Sequence, residues 1–184
     1  TPYDPESLGL LALMELHASR LKARTGPDGE PVLLMDQDRT RWDHLLIRRG
    51  LATLERIDQL GGTAGPYALQ AAIAACHARA TAAEDTDWGR IAALYDGLAQ
   101  ISPSPVVELN RGVAVPQAFG PQAGLDIVLP LFDVAELRQY HLLPAVAGDL
   151  LCRTGEHGRA RKHFLHAASL TSNAPPSPEM TFLV

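Results

Sequence analysis

Asp36-Gln37-Asp38-Arg39-Thr40-Arg41-Trp42-Asp43 places three carboxylates, two guanidinium groups, an amide and an indole within eight residues. An apolar run, residues 32–35, precedes this stretch, and an amphipathic helical pattern follows it as far as Leu60. Thr40 and Asp43 have the spacing of a capping box, which predicts a helix that begins at Thr40. Residues 36–39 are then expected on irregular backbone just outside that helix, where polar side chains either brace the fold or face a partner.

Length and charge narrow the class of protein. The 184 residues suit one helical domain, predicted over residues 1–173, followed by an irregular Pro-rich tail, residues 174–184. A net charge of −5 argues against direct nucleic-acid binding, which needs clustered Lys and Arg. No apolar run approaches a membrane span, and Cys76 and Cys152 have no metal-type spacing, so we expect a cytoplasmic protein without membrane contact, metal or cofactor. Because the chain begins at Thr1 rather than Met, we expect it to be part of a longer protein.

The sequence predicts an all-α fold. Ala and Leu are abundant, aromatic residues make up 5%, and helical segments alternate with Gly and Pro breakers. About eight antiparallel helices are expected, stacked as an α-solenoid, with strand possible only at residues 24–35. One predicted helix carries four large residues on a single face, which we expect in the core. These residues are Trp88, Ile91, Tyr95 and Leu98.

A repeat emerges when the second helices of successive helix pairs are aligned. The equivalent positions, offset by 33 and then 36 residues, are Ile91-Tyr95-Leu98, Gly124-Val128-Leu131 and Ala160-Phe164-Ala167. Two glycines, Gly112 and Gly148, each lie twelve residues before the start of such a pattern, where the first helix of a pair must approach its partner closely. The segment from Gly148 to Ala167 resembles the second half of a tetratricopeptide repeat. Helical hairpins that bury their faces by stacking are therefore predicted.

Residue patterns typical of catalysis are scarce. The sequence has neither a Gly-rich phosphate loop nor a nucleophile elbow, and its seven His residues do not form a metal-ligand pattern. His77 ends an Ala-rich helix and is interpreted as a core histidine with satisfied hydrogen bonds. Arg111, beside Asn110 in an otherwise apolar helix, needs a carboxylate partner if it is buried. The candidate partners are Asp36, Asp38 and Asp96. We therefore expect a protein that is not an enzyme.

Several separate motifs resemble one protein family. They are Asp36-Gln37-Asp38-Arg39 with Trp42-Asp43, Gly65-Pro66-Tyr67, residues 69–75 with His77, Asp87-Trp88, Leu94-Tyr95-Asp96, residues 102–107 and Leu109-Asn110-Arg111. Together they resemble the long C-terminal extension of a subgroup of bacterial extracytoplasmic-function (ECF) sigma factors, over about residues 5–173. The chain departs from that family at Gly112, where Ala is usual, and in its tail, which looks unrelated.

The resemblance implies a tetratricopeptide-like regulatory domain that modulates transcription initiation. It also implies N-terminal sigma domains, absent from this chain, that bind RNA polymerase and read promoter DNA. The expected partners are those sigma domains, the RNA polymerase core, or a protein or peptide ligand. The residues predicted to bind a partner are Asp36, Gln37, Asp38, Arg39, Arg41, Trp42, Asp43, Asn110 and Arg111. The residues predicted to be structural are Trp88, Ile91, Tyr95, Leu98 and Phe164.

Two alternatives stay open on the sequence alone. One is a stand-alone peptide-binding helical scaffold, and the other is an enzyme that uses Asp36, Asp38 and His77 as an acid/base or metal cluster. The role of the Asp-Gln-Asp-Arg motif (residues 36–39) is also open between a structural brace and a docking site. The docking interpretation predicts that Asp38→Ala with Arg39→Ala leaves the domain folded and lowers transcription.

Overall fold

The structure is a computed structural model that describes residues 4–61 and 65–171. In this described part of the chain there are eight α-helices and no β-strand, so the predicted all-α fold is confirmed. The chain divides after Ser102 into two compact units, residues 1–102 and 103–184. The single domain predicted over residues 1–173 stays a prediction. The tail predicted for residues 174–184 lies outside the described residues.

The first unit contains four helices, with short 3₁₀ turns between the first and second and between the third and fourth. They are α1 (Pro5–Ala18), α2 (His44–Gln59), α3 (Pro66–Arg79) and α4 (Trp88–Ile101). α1 begins as predicted, because Asp4 accepts a hydrogen bond from the Ser7 N–H and Pro5 stands in the first turn. α1 packs against both α2 and α3, and α4 packs against α3. Small residues of α1 and α3, including Ala12 and Ala71, allow this close packing.

The second unit contains the other four helices. They are α5 (Pro105–Phe119), α6 (Pro121–Val128), α7 (Leu142–Arg153) and α8 (His157–Thr171). Each helix packs against the next one along the chain. Ser104 caps α5, and Gly120 and Gly155 adopt positive φ angles of 89° and 83° where the chain turns. Its buried core contains seven leucines and a valine, namely Leu109, Leu125, Leu131, Leu137, Leu143, Leu150, Leu151 and Val128.

Two glycines mark the close approach of paired helices in the second unit. A Cβ atom at Gly112 would lie 2.4 Å from Val128 Cγ2, and one at Gly148 would lie 2.8 Å from the Phe164 ring. Both contacts join a residue of the first helix to the residue sixteen positions later in the second. The α5–α6 and α7–α8 hairpins therefore pack in the same register, as the aligned pattern predicts.

Helix α2 begins at His44, so the helix start predicted at Thr40 is wrong. The Asp43 carboxylate accepts hydrogen bonds from the N–H groups of Leu45 and Leu46, at 2.9 and 3.2 Å. Thr40 instead lies in a separate 3₁₀ turn, residues 39–41, where Asp38 accepts from its N–H at 3.0 Å and its hydroxyl at 2.6 Å. Asp caps helices at least as well as Thr, so each carboxylate caps its own turn and the predicted capping box does not form.

Residues 24–35, where strand was thought possible, contain one isolated antiparallel bridge between Thr25 and Pro31. The Val32 N–H donates to Arg24 O at 2.8 Å, and the Gly26 N–H donates to Glu30 O at 2.9 Å. The ladder does not extend because the Arg24 N–H donates to Leu21 O, at 3.4 Å, and Gly26 O accepts from the Gly29 N–H, at 3.2 Å. Strand is accordingly absent from the described part of this segment.

The predicted core residues differ in burial. Ile91, Tyr95 and Leu98 are buried, with at most 5% of their surface exposed. Trp88 is half-buried at the first position of α4, where its ring meets the edge of His77 at a centroid distance of 5.2 Å. Phe164 packs on Gly148 but keeps 42% of its surface exposed. Trp88 is therefore less deeply buried than the other three residues, because the start of a helix is covered on fewer sides than its middle.

Candidate protein-interaction site

Arg39 joins the Asp-Gln-Asp-Arg motif to the end of α3. Its Nη1 donates to His77 O at 2.6 Å and to Ala80 O at 2.9 Å, and its Nη2 donates to Thr86 Oγ1 at 3.5 Å. Ala80 is the C-cap of α3, where carbonyl groups lack intrahelical donors and the negative end of the helix dipole favours a cation. These contacts are those of a brace between the motif and two other parts of the first unit.

Two guanidinium groups lie over the ring of Trp42. The Cζ atoms of Arg39 and Arg20 lie 4.7 and 6.0 Å from the ring centroid, within the range of cation–π attraction. Only 4% of the Trp42 surface is exposed. Its apolar neighbours are Ala23, Leu34 and Ile47. Trp42 is therefore a core residue of this part of the fold, and its indole N–H has no hydrogen-bond acceptor among the described residues.

Gln37 and Asp43, two further residues of the segment 36–43, form hydrogen bonds with other parts of the first unit. Gln37 is 8% exposed, and its Nε2 donates to Val32 O at 3.2 Å. Asp43 caps α2 through its side chain, while its backbone N–H donates to Ser19 O at 2.8 Å. Both residues thus connect the motif to its neighbours in the first unit and leave little of their surface for a partner.

The C-terminal end of α1 adds two further arginines to this region. Arg20 Nη2 and Arg24 Nη2 lie 2.9 and 3.0 Å from His17 Nδ1, so this nitrogen accepts both hydrogen bonds and the imidazole is neutral. Burial, together with the two guanidinium groups, lowers the pKa of His17 to about 4. Burial and the neighbouring Arg24 and Arg39 lower the pKa of Arg20 to about 10.

His77 is buried, but its predicted hydrogen bonds are missing. Only 2% of its surface is exposed, and neither ring nitrogen has a partner among the described residues. Burial lowers the pKa of His77 to about 3, and the nearby Arg20, Arg39 and His17 add to this effect. The interpretation of His77 as a satisfied core histidine is therefore half correct. Its ring packs edge-on against Trp88 instead of donating or accepting a hydrogen bond.

The remaining charges of the opening stretch form an exposed surface, which we call the outer face. It consists of Leu33, Met35, Asp36, Asp38 and Arg41. Leu33 is 74% exposed and Met35 is 39% exposed, so apolar groups flank the charges. Hydrogen bonds from the Thr40 side chain and backbone lower the pKa of Asp38. No ion pair ties Asp36, Asp38 or Arg41 to another side chain in the described part of the chain.

Asn110 and Arg111 lie in the second unit, on α5. Both are half-buried, and Arg111 pairs with Glu108 one turn earlier at 3.1 Å. Glu108 was not among the partners considered from the sequence. An i,i+3 partner on the same helix is available as soon as the helix forms, so Glu108 supplies Arg111 with one counter-ion.

The three residues of the enzyme alternative do not share one environment. His77 is buried against Trp88, whereas Asp36 and Asp38 are exposed to solvent. Within residues 4–61 and 65–171, no group of three or more His, Cys, Asp or Glu side chains is placed to hold a metal ion. No helix in those residues is long and apolar enough to cross a membrane.

Sequence reasoning missed His17, Arg20 and Arg24 as members of this region. From the sequence, Arg20 and Arg24 look only like cations that suit the C-terminal end of a helix. A usable signal was their spacing, because residues 17, 20 and 24 are three and four apart and share one face of a helical turn.

The fold and this region define an all-α helical-array protein with a braced, charged surface segment. Residues 1–58 match the model of a family of unknown function, DUF6596. Over 173 residues, 94% of this chain, the sequence is 44% identical to an uncharacterized protein of Rhizobium meliloti (strain 1021). The chain spans 40% of the length of that relative. No solved structure matches the chain at a significant level.

Proposed function

We propose that the chain is a regulatory protein-interaction module of an ECF-type sigma factor, acting in the cytoplasm and without catalysis. Its partners are the sigma domains of the same polypeptide or the RNA polymerase core. The motifs that resemble ECF sigma-factor extensions support the proposal, since they recur along nearly the whole chain. The length of the relative supports it too, because a matching segment that makes up 40% of a longer protein leaves room for further domains.

The observation that carries the interaction role is the outer face. The side chains of Asp36, Asp38 and Arg41 are all exposed. Arg39 and Gln37, which lie between them in the sequence, hydrogen-bond to other parts of the first unit. Exposed charges contribute only about 0–1 kcal/mol to stability through ion pairs, so beyond the cap that Asp38 forms on the turn of residues 39–41 the fold gains little from these three exposed residues. Charge complementarity with a partner makes better use of them, because it sets the register of docking and rejects wrong partners.

The brace gives the outer face a defined shape. The Asp38 carboxylate accepts hydrogen bonds from the Thr40 N–H and hydroxyl. The next residue, Arg39, donates to two carbonyl groups at the C-terminal end of α3. A surface that is ordered before binding loses less conformational entropy on docking. Apolar Leu33 and Met35 beside the charges supply area that a partner can bury.

A second candidate function, a stand-alone peptide-binding scaffold, is favoured by one observation. A cavity of about 320 Å³ lies in the first unit beside the end of α3. Its lining residues include two cations and two carboxylates, namely Arg79, Arg90, Asp85 and Asp87. A peptide with side chains of both signs would fit this lining without any link to transcription.

The experiment that tests the proposed function is identification of the native polypeptide and its partners. An antibody raised against this chain is used to detect the cellular product and to precipitate its complexes. We expect a product clearly longer than 184 residues that co-precipitates RNA polymerase core subunits. A product no longer than this chain, precipitated without polymerase, contradicts the sigma-factor module and favours the scaffold.

A further inference from the structure

Three guanidinium groups converge in the first unit. Arg39 and Arg20 lie on Trp42, at 4.7 and 6.0 Å from its ring centroid, and Arg24 reaches the same histidine nitrogen as Arg20. We call Arg20, Arg24 and Arg39, with Trp42 and His17, the arginine cluster. It is distinct from the outer face, since it is formed largely by buried and half-buried groups.

The positive charge of the arginine cluster is only partly compensated. Arg39 donates to two carbonyl oxygens, whereas Arg20 and Arg24 share a single acceptor, the lone pair of His17 Nδ1. Within the described residues, no carboxylate forms an ion pair with any of the three. The C-terminal end of α1 contributes about half a negative charge, which is less than the two positive charges beside it. Arg20 is 8% exposed, so its charge has lost most of its hydration as well.

Two buried hydrogen-bond donors at Trp42 also lack acceptors within the described part of the chain, while one buried acceptor of the same segment, Gln37 Oε1, lacks a donor there. The indole Nε1–H of Trp42 and the Nε–H of Arg39 are buried and have no acceptor among the described residues. Buried donors in native proteins nearly always have an acceptor, which is protein, water or a bound ligand. Glu84 and Asp85 act on the charge of Arg39 but, among the described residues, form no ion pair with it. Unmet donors together with partly compensated positive charge call for an acceptor that carries negative charge.

We propose that the arginine cluster is a binding site for an oxyanion, that is, a carboxylate or a phosphate group. Guanidinium groups bind oxyanions through two parallel N–H donors. Most side-chain N–H groups of Arg20 and Arg24 donate no hydrogen bond to the described residues. Arg24 and Arg39 are half-buried, so the anion reaches the cluster along their exposed sides. This site goes beyond the proposed function and does not rest on it.

The test uses inorganic phosphate as the probe and compares it with chloride at equal ionic strength and pH 7. Thermal unfolding of the chain is followed, together with the fluorescence of a Trp88→Phe variant in which Trp42 is the only indole. We expect phosphate to raise the Tm in a saturable way, as binding to the folded state requires, and to change the Trp42 emission with the same midpoint. Phosphate also stabilises proteins non-specifically, so a matched variant is needed.

Arg24→Gln is the test variant, because Arg24 is half-buried and braces no carbonyl group. Arg48→Gln, which removes an exposed arginine of α2 in the same unit, is the control. We expect Arg24→Gln to weaken phosphate binding by about tenfold or more, and Arg48→Gln to leave it unchanged. If Arg24→Gln does not fold, Arg24→Lys keeps the charge and loses the paired donors, and should weaken binding severalfold.

Acetate and an acetylated hexaglutamate amide peptide distinguish the two sources of the oxyanion. Tighter binding of the peptide than of acetate and phosphate assigns the site to an acidic protein segment, and tighter binding of phosphate assigns it to a free oxyanion. Both results support the site. It is overturned if no probe gives saturable binding, if Arg24→Gln and Arg48→Gln respond alike, or if the Trp42 emission does not change.

Discussion

At the residue scale, the charges of one short segment divide into two kinds. Arg39 donates to carbonyl groups contributed by a helix that lies some forty residues further along the chain, while Arg41, two residues later, is exposed. A hydrogen bond that involves a charged group contributes about 1.5–3 kcal/mol, whereas exposed ion pairs contribute about 0–1 kcal/mol. Substitutions at the two arginines should therefore differ sharply in their effect on stability.

Arg39→Ala should lower the free energy of unfolding by about 2–4 kcal/mol, because two α3 carbonyls lose their charged donor and Trp42 loses its cation. Arg41→Ala is the matched control and should change it by less than about 0.5 kcal/mol. Denaturant titration of both variants measures the difference. Equal losses would show that the guanidinium of Arg39 does not support the fold. That Asp38→Ala with Arg39→Ala leaves the domain folded stays a prediction, and the double variant should be less stable than the wild type because it removes the brace.

His17 should make the folded state sensitive to acid. Its pKa is lowered to about 4 in the folded protein, whereas an unfolded imidazole titrates near 6.5. Between these values the unfolded chain takes up a proton that the folded chain does not, so the free energy of unfolding falls as the pH falls. From pH 7 to pH 5 the His17 contribution should be about 2 kcal/mol.

His17→Gln keeps an acceptor for Arg20 and Arg24 but cannot titrate, so it isolates this effect. The wild-type chain should lose about 2 kcal/mol more than His17→Gln between pH 7 and pH 5, when both are unfolded with denaturant. His44→Gln, at an exposed position, serves as the control and should follow the wild type. Parallel losses in all three proteins would contradict the buried, neutral state of His17.

Sequence reasoning identified the right residues in this segment but not their partners. The charge density of residues 36–43 was visible, and Trp42 and Arg39 were singled out. The partners of Arg39 are backbone carbonyl groups, and Trp42 lies under the guanidinium of Arg20 as well as that of Arg39, contacts that no sequence pattern marks. The brace therefore became apparent only when α1, α3 and the motif were placed together in space.

At the element scale, the two hairpins of the second unit follow one packing rule. Gly112 faces Val128, and Gly148 faces Phe164, in the same register. This feature was predicted from the spacing of glycines, because a missing Cβ atom is a steric requirement that sequence displays directly. The start of α2 was mispredicted, since Thr40 and Asp43 are both good caps and the choice between them depends on Asp38.

Gly112→Ala should destabilise the second unit by about 1–3 kcal/mol, because its Cβ would lie 2.4 Å from Val128 Cγ2. This loss outweighs the gain of up to about 1 kcal/mol from replacing Gly in a helix. Gly158→Ala, where no atom lies within 4 Å of the new Cβ, is the control and should be neutral or stabilising. Denaturant titration compares them. A stabilising Gly112→Ala would show that α5 and α6 are not in close contact.

At the scale of the whole molecule, composition predicted the helical class and the number of helices. Helical segments that alternate with Gly and Pro are a local feature of the sequence. They predict the helices well because each helix begins and ends according to its own residues. The division after Ser102 into two compact units was not foreseen. Ser102 lies in a Ser-Pro-Ser-Pro segment that resembles the other helix breaks, so the sequence pattern alone does not distinguish a turn within a unit from a boundary between units.

The central claim is that the outer face binds the regulatory partner, whereas the brace, formed by the hydrogen bonds of Arg39 to the end of α3, stabilises the fold. The direct measurement combines Asp36→Asn, Asp38→Asn and Arg41→Gln in the longer sigma factor that we propose contains this chain, and records output from a promoter that responds to it. The amide oxygen that Asp38→Asn introduces still accepts from Thr40, so the local turn is preserved. Arg48→Gln, Glu55→Gln and Asp58→Asn remove the same charges from the exposed surface of α2 and form the control.

Both sets of substitutions are also introduced into this chain, and thermal unfolding is measured. The account predicts that promoter output falls severalfold for the outer-face protein and not for the control, while the Tm of both chains stays within a few degrees of the wild type. Unchanged output from the outer-face protein would contradict the account. So would a loss of output no larger than the loss of folded protein, because that result would make the whole segment a structural brace.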